Sequence, residues 1–292
     1  MRTHLRTCSL RVVIPAVFAC CGLAPAQPAV QQLGAGLYAY ISENDASANS
    51  TFLIGRRGIL VVDSGLNATE GTKLLGAIRQ VSSLPVKFII NTHYHPDHQG
   101  GNAAVGPNAV VITTAFTRER TLALIKRPEM EGFHFRPANV TFEKRVTVYL
   151  DPYSVDAYYP GKAHTSGDAL VYFPQQRVIA TGDLFLNRSC PAMDNGSVEN
   201  WIQALNQVLE LPVDHVVPGH FEVGTKSDLR RFRNYLSDLF QQVRAIKERG
   251  ATLDQVRHEV NTQKYADFRQ YPKYQASFAD NAAVIYQQLQ AH

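Results

Sequence analysis

The chain has 292 residues, of which 45% are hydrophobic and 18% are charged. This composition is ordinary for a globular protein and excludes a disordered chain, and the length suffices for one domain with a full core and a modest extension. The 29 basic and 25 acidic residues include no block of lysines and arginines, which argues against nucleic acid as a partner.

The first 26 residues are typical of a cleavable secretory leader. Three arginines precede an apolar run at 12–23, and an Ala-x-Ala site ends at Ala26, after which we expect cleavage. The run is shorter than the roughly 20 residues that a membrane span requires, so we expect no stable span. A lipoprotein anchored through Cys20 is the alternative. Because the leader carries three arginines and no acid, its removal lowers the formal net charge of +4 by three, and we expect a secreted or periplasmic protein.

Strand and helix patterns alternate after the leader. Short runs rich in apolar and aromatic residues predict strands at 37–41, 51–54 and 59–62, with a turn at 55–58 between the last two. Helical spacing of apolar residues predicts a helix at 69–81, and a short apolar run predicts a buried strand at 86–91. A strand at 110–112 and a helix at 115–125 complete the first half of the pattern.

The loop after the strand at 86–91 places three imidazoles and a carboxylate within six residues, His93-Tyr94-His95-Pro96-Asp97-His98. Loops at strand ends are where sites are built, and neutral imidazole and carboxylate are the ligands that zinc prefers in such sites. His93 and His95 can reach one ion from the same side of an extended loop, whereas Asp97 and His98 diverge toward a second position. The loop therefore predicts two metal ions.

The second half repeats the alternation. Strands are predicted at 146–150, 155–159, 170–173, 178–180 and 213–217, with a helix at 198–211 between the last two. Beyond residue 220 the pattern turns helical, with an apolar stripe that ends before Gly250, a capping box at 252–255 and a last stripe at 278–289. Two packed sheets with helices outside suit this order.

Three further metal-ligand types stand where strands of the second half end. They are His164, Asp183 and His220, each followed by a turn or a helix. A site with two metal ions needs ligands from distant parts of the chain, and these positions can supply them. The remaining cysteine outside the leader, Cys190, comes seven residues after Asp183, and we interpret it as a packed thiol without a disulfide partner.

The ligand order, H-x-H-x-D-H followed by a lone His, an Asp and a Gly-His, resembles the metallo-β-lactamase superfamily, and Asp63-Ser64-Gly65 resembles its structural aspartate. The resemblance implies an α/β four-layer αβ/βα sandwich, which we expect at 27–224, with C-terminal helices at 225–292 packed on it. It also implies two zinc ions, for which iron or manganese could substitute. The implied ligands are His93, His95 and His164 for the first ion, Asp97, His98 and His220 for the second, and Asp183 as the bridge.

Metal-assisted hydrolysis of a small molecule is the function that this reading predicts. A hydroxide that bridges two zinc ions would attack an ester, thioester, lactone or lactam, and Asp97 would orient it and pass a proton to the leaving group. Asp168, four residues after His164, is interpreted as a brace of the His164 loop.

Four alternatives remain beside the general hydrolase. A true β-lactamase is one, although many carry Cys at position 183 and a Lys three residues later, where this chain has Leu186. Glyoxalase II is disfavoured because Ser166 and Asp168 depart from its H-T-P-G-H pattern, and a di-iron redox protein because His95 stands where an acid is expected. A non-catalytic periplasmic metal-binding accessory protein is the fourth.

Two further features of the sequence carry open interpretations. The segment 127–139 is either an apolar lid over the metals or an ordinary surface loop, and its His134 is more often a loop residue than a ligand. Arg188 either meets an anionic substrate or is a surface charge.

Overall fold

The computed structural model describes residues 30–193, 195–270 and 276–290. The predicted leader lies outside these residues. The described chain forms two β-sheets packed face to face with helices on both outer faces, which confirms the expected sandwich. None of the described helices is both long enough and apolar enough to cross a membrane.

The first sheet has seven strands in sequential order and changes from antiparallel to parallel pairing at its middle. Pairs from β1 to β4 are antiparallel and are joined by two short turns and, between β2 and β3, by the loop at 41–49. Strands β4 to β7 pair in parallel and are connected by longer crossovers, beginning with helix α1 (Ala68–Val81). The strands are β1 (Val30–Gly34), β2 (Leu37–Tyr40), β3 (Ser50–Ile54), β4 (Ile59–Val62), β5 (Val86–Ile90), β6 (Val110–Thr114) and β7 (Val140–Phe142).

The second sheet has five strands in the order β12-β11-β10-β9-β8. Its pairs are antiparallel except β11 with β12, which pair in parallel through the crossover helix α5 (Val198–Glu210). The strands are β8 (Arg145–Leu150), β9 (Tyr153–Tyr158), β10 (Leu170–Phe173), β11 (Val178–Ala180) and β12 (His215–Val217).

Central strands are buried on both faces, as β4 illustrates. Leu60 and Val62 point between the sheets, while Ile59 and Val61 point outward against helix α1, because successive side chains of a strand face opposite ways. Such strands are continuous apolar runs, and this is why the sequence predicts them well.

The helices of the two halves differ in length. Short helices follow β5 and β6 in the first half: α2 (Pro96–Gln99), α3 (Asn102–Val105) and α4 (Ala115–Leu124). The second sheet carries α5 and the C-terminal helices α6 (Lys226–Glu248), α7 (Leu253–Glu259) and α8 (Phe278–Gln288), which share one apolar core with it. Single-turn 3₁₀ helices lie at Pro128–Met130, Gly182–Leu184 and Gln263–Tyr265.

Most predicted elements are confirmed, and the differences have local causes. The capping box at 252–255 is present, with the Thr252 hydroxyl accepting from the Gln255 amide. The edge strands β1 and β7 are absent from the predictions because each is short and has two exposed residues, so neither forms an apolar run. The single-turn helix α2 forms within the predicted metal loop, where Pro96 occupies its first position.

Candidate metal centre

All seven predicted ligands meet at one edge of the sandwich, where strands from both sheets end. The loop after β5 brings four of them, and the turns after β11 and β12 and the loop between β9 and β10 bring one each. Their nitrogen and oxygen atoms converge into two groups in which all atoms lie within 4.8 Å of one another. The first group is His93, His95, His164 and Asp183, and the second is Asp97, His98 and His220.

The first group has three imidazole nitrogens and one carboxylate oxygen. His95 Nδ1 lies 3.0 Å from His93 Nε2 and 3.2 Å from His164 Nε2. Asp183 Oδ2 lies 3.6 Å from His164 Nε2 and 4.0 Å from His93 Nε2. Four ligands at about 2.0 to 2.1 Å from a tetrahedral zinc ion would be separated by about 3.4 Å, so these distances fit such a site.

The second group has one carboxylate of its own, Asp97, and also faces the carboxylate of Asp183. Asp97 Oδ2 lies 3.1 Å from His220 Nε2 and 3.4 Å from His98 Nε2. Asp183 Oδ1 lies 3.2 Å from His98 Nε2 and 3.7 Å from His220 Nε2. The two oxygens of Asp183 therefore face different groups, as a bridging carboxylate would.

Two buried atoms, one in the second group and one on Asp183, show that the arrangement suits a cation. His98 Nε2 and Asp183 Oδ1 make no hydrogen bond to any described group. A buried polar atom without a partner costs about 1 to 3 kcal/mol, and a metal ion placed between these atoms would satisfy both. The residues present thus fit two divalent cations.

Gly219 leaves the space that the shared carboxylate occupies. A Cβ atom at this position would lie 1.9 Å from Asp183 Oδ1 and 3.0 Å from the Asp183 nitrogen. A larger residue would have to displace Asp183, so the glycine of the Gly-His pair is required by close approach.

Asp63 orients the ligands that follow β5. Its Oδ1 accepts from the Thr92 amide at 2.8 Å, and its Oδ2 accepts from the Thr92 hydroxyl at 2.7 Å and lies 2.8 Å from His98 Nδ1. The Thr92 hydroxyl is also 3.1 Å from His93 Nδ1. Asp63 is buried and has a φ of 55°, a left-handed conformation that Asp tolerates better than most residues. These contacts give Asp63 the bracing role that its resemblance implies.

His164 is positioned by the second half of the chain. Its Nδ1 lies 3.2 Å from the Ala192 carbonyl, and its ring packs edge-on to Trp201 with centroids 5.4 Å apart. The next residue, Thr165, donates its amide and its hydroxyl to the buried Asp168 carboxylate at 2.8 and 2.6 Å. The predicted role of Asp168 as a brace of this loop is confirmed.

Burial lowers the pKa of some histidines of the site, whereas nearby carboxylates raise the pKa of others. Burial lowers the pKa of His164 to about 3 and that of His93 well below its usual range, so their lone pairs are free for a metal. Burial alone would also lower the pKa of His98, but the carboxylates of Asp183 and Asp97 raise it well above its usual value. Likewise, burial alone would raise the pKa of Asp183, but His98 and His220 lower it well below its usual range.

A cavity of about 510 Å³ opens onto the two groups. Phe133, from the segment 127–139, lines it, whereas His134 is exposed and Arg188 is not part of the lining. Among the residues that the structure describes, the lining includes no lysine or arginine. Apart from five of the candidate metal ligands, the lining residues are Asp45, Ala46, Leu66, Pro96, Phe133, Leu186, Ser189, Cys190, Ala192, Asn195, Phe221 and Ala276.

Cys190 contributes to this wall as a packed residue. It is 1% exposed, and burial raises the pKa of its thiol to about 12, so the thiol stays protonated. Among the described residues it joins neither group of candidate ligands. The interpretation of Cys190 as a packed thiol is confirmed.

The loop between β2 and β3 completes the site, although its sequence pattern does not predict this role. Asn49 donates its side-chain amide to the carbonyls of Pro218 and Phe221, at 3.1 and 2.7 Å, and its backbone amide to Gly219. Asn49 thereby fixes the turn that presents His220. An Asn between two predicted strands is common in turns, so its role is visible only from the contact across 169 residues.

The sequence model of the metallo-beta-lactamase superfamily matches residues 44–220, and the chain belongs to this superfamily. The superfamily consists largely of metal-binding hydrolases with a dinuclear site. The chain is 24% identical to the metallo-beta-lactamase type 2 of Elizabethkingia meningoseptica, over 74% of this chain and 88% of the relative. It is 30% identical to the 2,4-dinitroanisole O-demethylase subunit alpha of Nocardioides sp., over 57% of this chain, and spans half the length of that subunit.

Solved structures share the fold at lower identity. A stereoselective inverting sec-alkylsulfatase from Pseudomonas sp. superposes with a TM-score of 0.73 at 16% identity, covering 89% of this chain and 50% of that chain. A metallo-beta-lactamase from Pontibacter korlensis superposes with a TM-score of 0.62 at 22% identity, covering 72% of this chain and 99% of that chain. The wider coverage by the sulfatase indicates that the likeness extends beyond the matched 44–220 region.

Proposed function

We propose that this protein is a hydrolase that uses two divalent metal ions, with zinc as the expected metal, on an ester, thioester or lactone substrate. The observation that carries the proposal is the division of the Asp183 carboxylate, whose Oδ2 faces the first group of ligands while its Oδ1 faces the second. One carboxylate shared between two sets of imidazoles is suited to holding two cations side by side.

The residues of the two groups are those that would hold the ions. His93, His95 and His164 would hold the first, Asp97, His98 and His220 would hold the second, and Asp183 would bridge them. When bound, two such ions supply Lewis acidity, which lowers the pKa of a coordinated water and polarises the group under attack.

Asp97 is the residue that we propose to move the proton. It lines the cavity, its side chain is 22% exposed, and it contacts His98 and His220 through Oδ2. This leaves Oδ1 to accept a proton from the attacking water and to deliver it to the leaving group. No side-chain nucleophile is required by this scheme.

The cavity wall supports a neutral substrate with an apolar body. Its described lining includes Phe133, Leu186 and Phe221 but no lysine or arginine. A β-lactam carries a carboxylate that needs a cation for a productive pose, and Leu186 cannot supply one. A neutral ester or lactone needs no such contact.

Hydrolysis of β-lactams is the second candidate function. It is favoured by the sequence likeness to the metallo-beta-lactamase type 2 proteins of Elizabethkingia meningoseptica and Bacillus cereus, at 24% and 28% identity. The described lining of the cavity contains no lysine or arginine to bind the carboxylate of a β-lactam, which argues against β-lactam hydrolysis as the main activity.

Steady-state kinetics on one zinc-loaded preparation distinguish the two. We expect kcat/KM for activated esters, thioesters or lactones to exceed that for penicillins and carbapenems by about tenfold or more, equivalent to about 1.4 kcal/mol. A matched pair of esters, one neutral and one with an added carboxylate, isolates the effect of charge, and Asp97→Ala serves as a blank for contaminating enzymes. If β-lactams are the better substrates, the lactamase function replaces ours, and Arg188 is the first residue to examine for the missing cation.

We also propose that the protein works outside the cytoplasm after removal of residues 1–26. Mass spectrometry of protein isolated from a periplasmic extract should find Gln27 as the first residue. A lipid-modified N-terminus at Cys20 would instead show a lipoprotein.

A further inference from the structure

A buried polar contact joins the C-terminal helices to the wall of the metal cavity. Asn281, on α8, is 0% exposed, and its Nδ2 donates to the Pro191 carbonyl at 2.8 Å. Its Oδ1 accepts from the Tyr235 hydroxyl of α6 at 2.6 Å. The nitrogen of the Asn281 amide therefore bonds to the cavity wall, and its oxygen bonds to the neighbouring helix α6.

The same stretch of wall holds a candidate ligand. Pro191 is followed by Ala192, whose carbonyl lies 3.2 Å from His164 Nδ1. A ring that donates from Nδ1 presents the lone pair of Nε2, which is the atom that faces His95 and Asp183 in the first group. The position of residues 190–192 therefore decides how His164 is presented.

Packing alone does not explain an amide at this position. The neighbouring buried residues of α8 include Ala282, Ala283 and Ile285, which are apolar and belong to the common core or lie beside it. An apolar residue of similar volume in place of Asn281 would avoid the cost of burying a polar group. The amide is explained by the carbonyl that it fixes.

We propose that Asn281 and Tyr235 are positioning residues for the candidate metal centre, acting through residues 190–192 on the orientation of His164. The inference rests on the proposed binding of two metal ions. It assigns a role in the site to the helices beyond residue 220, where the match to the superfamily ends.

The test measures zinc affinity rather than activity. Asn281→Leu removes both hydrogen bonds, and Tyr235→Phe removes only the hydroxyl and keeps the ring, so the second variant serves if the first does not fold. Loss of a partner that contacts a ligand directly costs about 10- to 100-fold in metal affinity. Because Asn281 acts one residue further away, we expect the zinc of the first group to be weakened about three- to tenfold by Asn281→Leu and less by Tyr235→Phe.

Ile285→Ala is the matched control, since Ile285 is 0% exposed on the same helix and its side chain is apolar. It should lower the melting temperature of the metal-free protein without changing either zinc affinity. Competition with a chromophoric chelator gives the two affinities, and the zinc of the second group should remain within about twofold in all three variants.

The outcomes separate this inference from the function on which it rests. If the wild-type chain binds no zinc, the proposed function fails. If the wild-type chain binds two ions and Asn281→Leu binds them equally well, only the positioning role is overturned. An equal loss in Ile285→Ala would also overturn it, because that loss would reflect stability alone.

Discussion

The two halves of the sandwich contribute to the metal centre in different ways. The first sheet supplies four candidate ligands from one loop, at 93–98, whereas the second sheet supplies three from separate strand ends, at 164, 183 and 220. Each group of ligands nevertheless takes members from both halves. Two bound ions would therefore connect the sheets as well as carry the chemistry.

The braces differ in the same way. In the first half the ligand loop is held by residues of its own sheet, with Asp63 against Thr92 and His98, and Asn91 donating to the His98 carbonyl at 3.3 Å. In the second half Asp168 holds the His164 loop locally, but the other braces come from outside the second sheet. Asn49 of the β2–β3 loop donates to the Pro218 carbonyl at 3.1 Å, Trp201 donates to the Leu184 carbonyl at 2.9 Å, and Asn281 donates to the Pro191 carbonyl. We infer that the first half is positioned by contacts within its own sheet and the second half mainly by contacts from other elements.

The largest expected effect comes from the ligand that both groups share. Asp183→Asn removes a negative charge between two cations and replaces a bridging oxygen with an amide nitrogen, so both zinc affinities should fall by at least about 100-fold. Elemental analysis after dialysis is the measurement. Asp214→Asn, which breaks only an exposed ion pair with Arg177, is the control. Loss of one ion alone would show that Asp183 is a terminal ligand and that the halves are not bridged through it.

A glycine of the second half provides the next test. Gly219→Ala would bring a Cβ atom to 1.9 Å from Asp183 Oδ1, so we expect zinc content and turnover to fall about tenfold or more. Gly76→Ala is the matched control, because a Cβ atom there meets nothing within 4 Å and alanine favours the helix. Full zinc content in Gly219→Ala would mean that the shared carboxylate tolerates displacement.

The local brace of the first half should act selectively. Asp63→Asn removes the charge beside His98 Nδ1, and we expect the zinc of the second group to be weakened about 10- to 100-fold while that of the first changes less than about threefold. Chelator competition measures both affinities in one titration. This pattern is the reverse of that expected for Asn281→Leu, and equal losses in both groups would remove the distinction between the two halves.

The smallest effect is expected at Cys190. Cys190→Ser keeps the size of the side chain, and the Tyr235 hydroxyl already lies 3.8 Å from its sulfur, so zinc content and turnover should stay within about twofold. Elemental analysis together with ester turnover tests this. A large drop in zinc would place the thiol among the ligands.

The two halves also differ in how far their candidate ligands and braces can be predicted from the sequence. The ligand loop can be predicted because its four candidate ligands, His93, His95, Asp97 and His98, are close together in the chain. The other three ligands can be predicted because each follows the end of a strand. The central strands are readable because they are continuous apolar runs. Gly219 was visible as part of the Gly-His pair, but its close approach to Asp183 was not predicted, nor were the roles of Asn49 and Asn281. Each of these residues acts on a residue that no local pattern connects with it. The sequence alone also does not distinguish an apolar lid at 127–139 from a surface loop. Among the described residues of this segment, the structure places Phe133 against the cavity.

Anomalous diffraction from zinc-soaked crystals of the mature chain tests the central claim most directly. The account predicts two anomalous peaks at the edge where the sheets meet, each about 2.0 to 2.2 Å from its ligand atoms, with Asp183 Oδ2 on the first ion and Asp183 Oδ1 on the second. A single peak, or two peaks that leave one oxygen of Asp183 without an ion, would contradict the claim that the two halves share a bridged pair of metals.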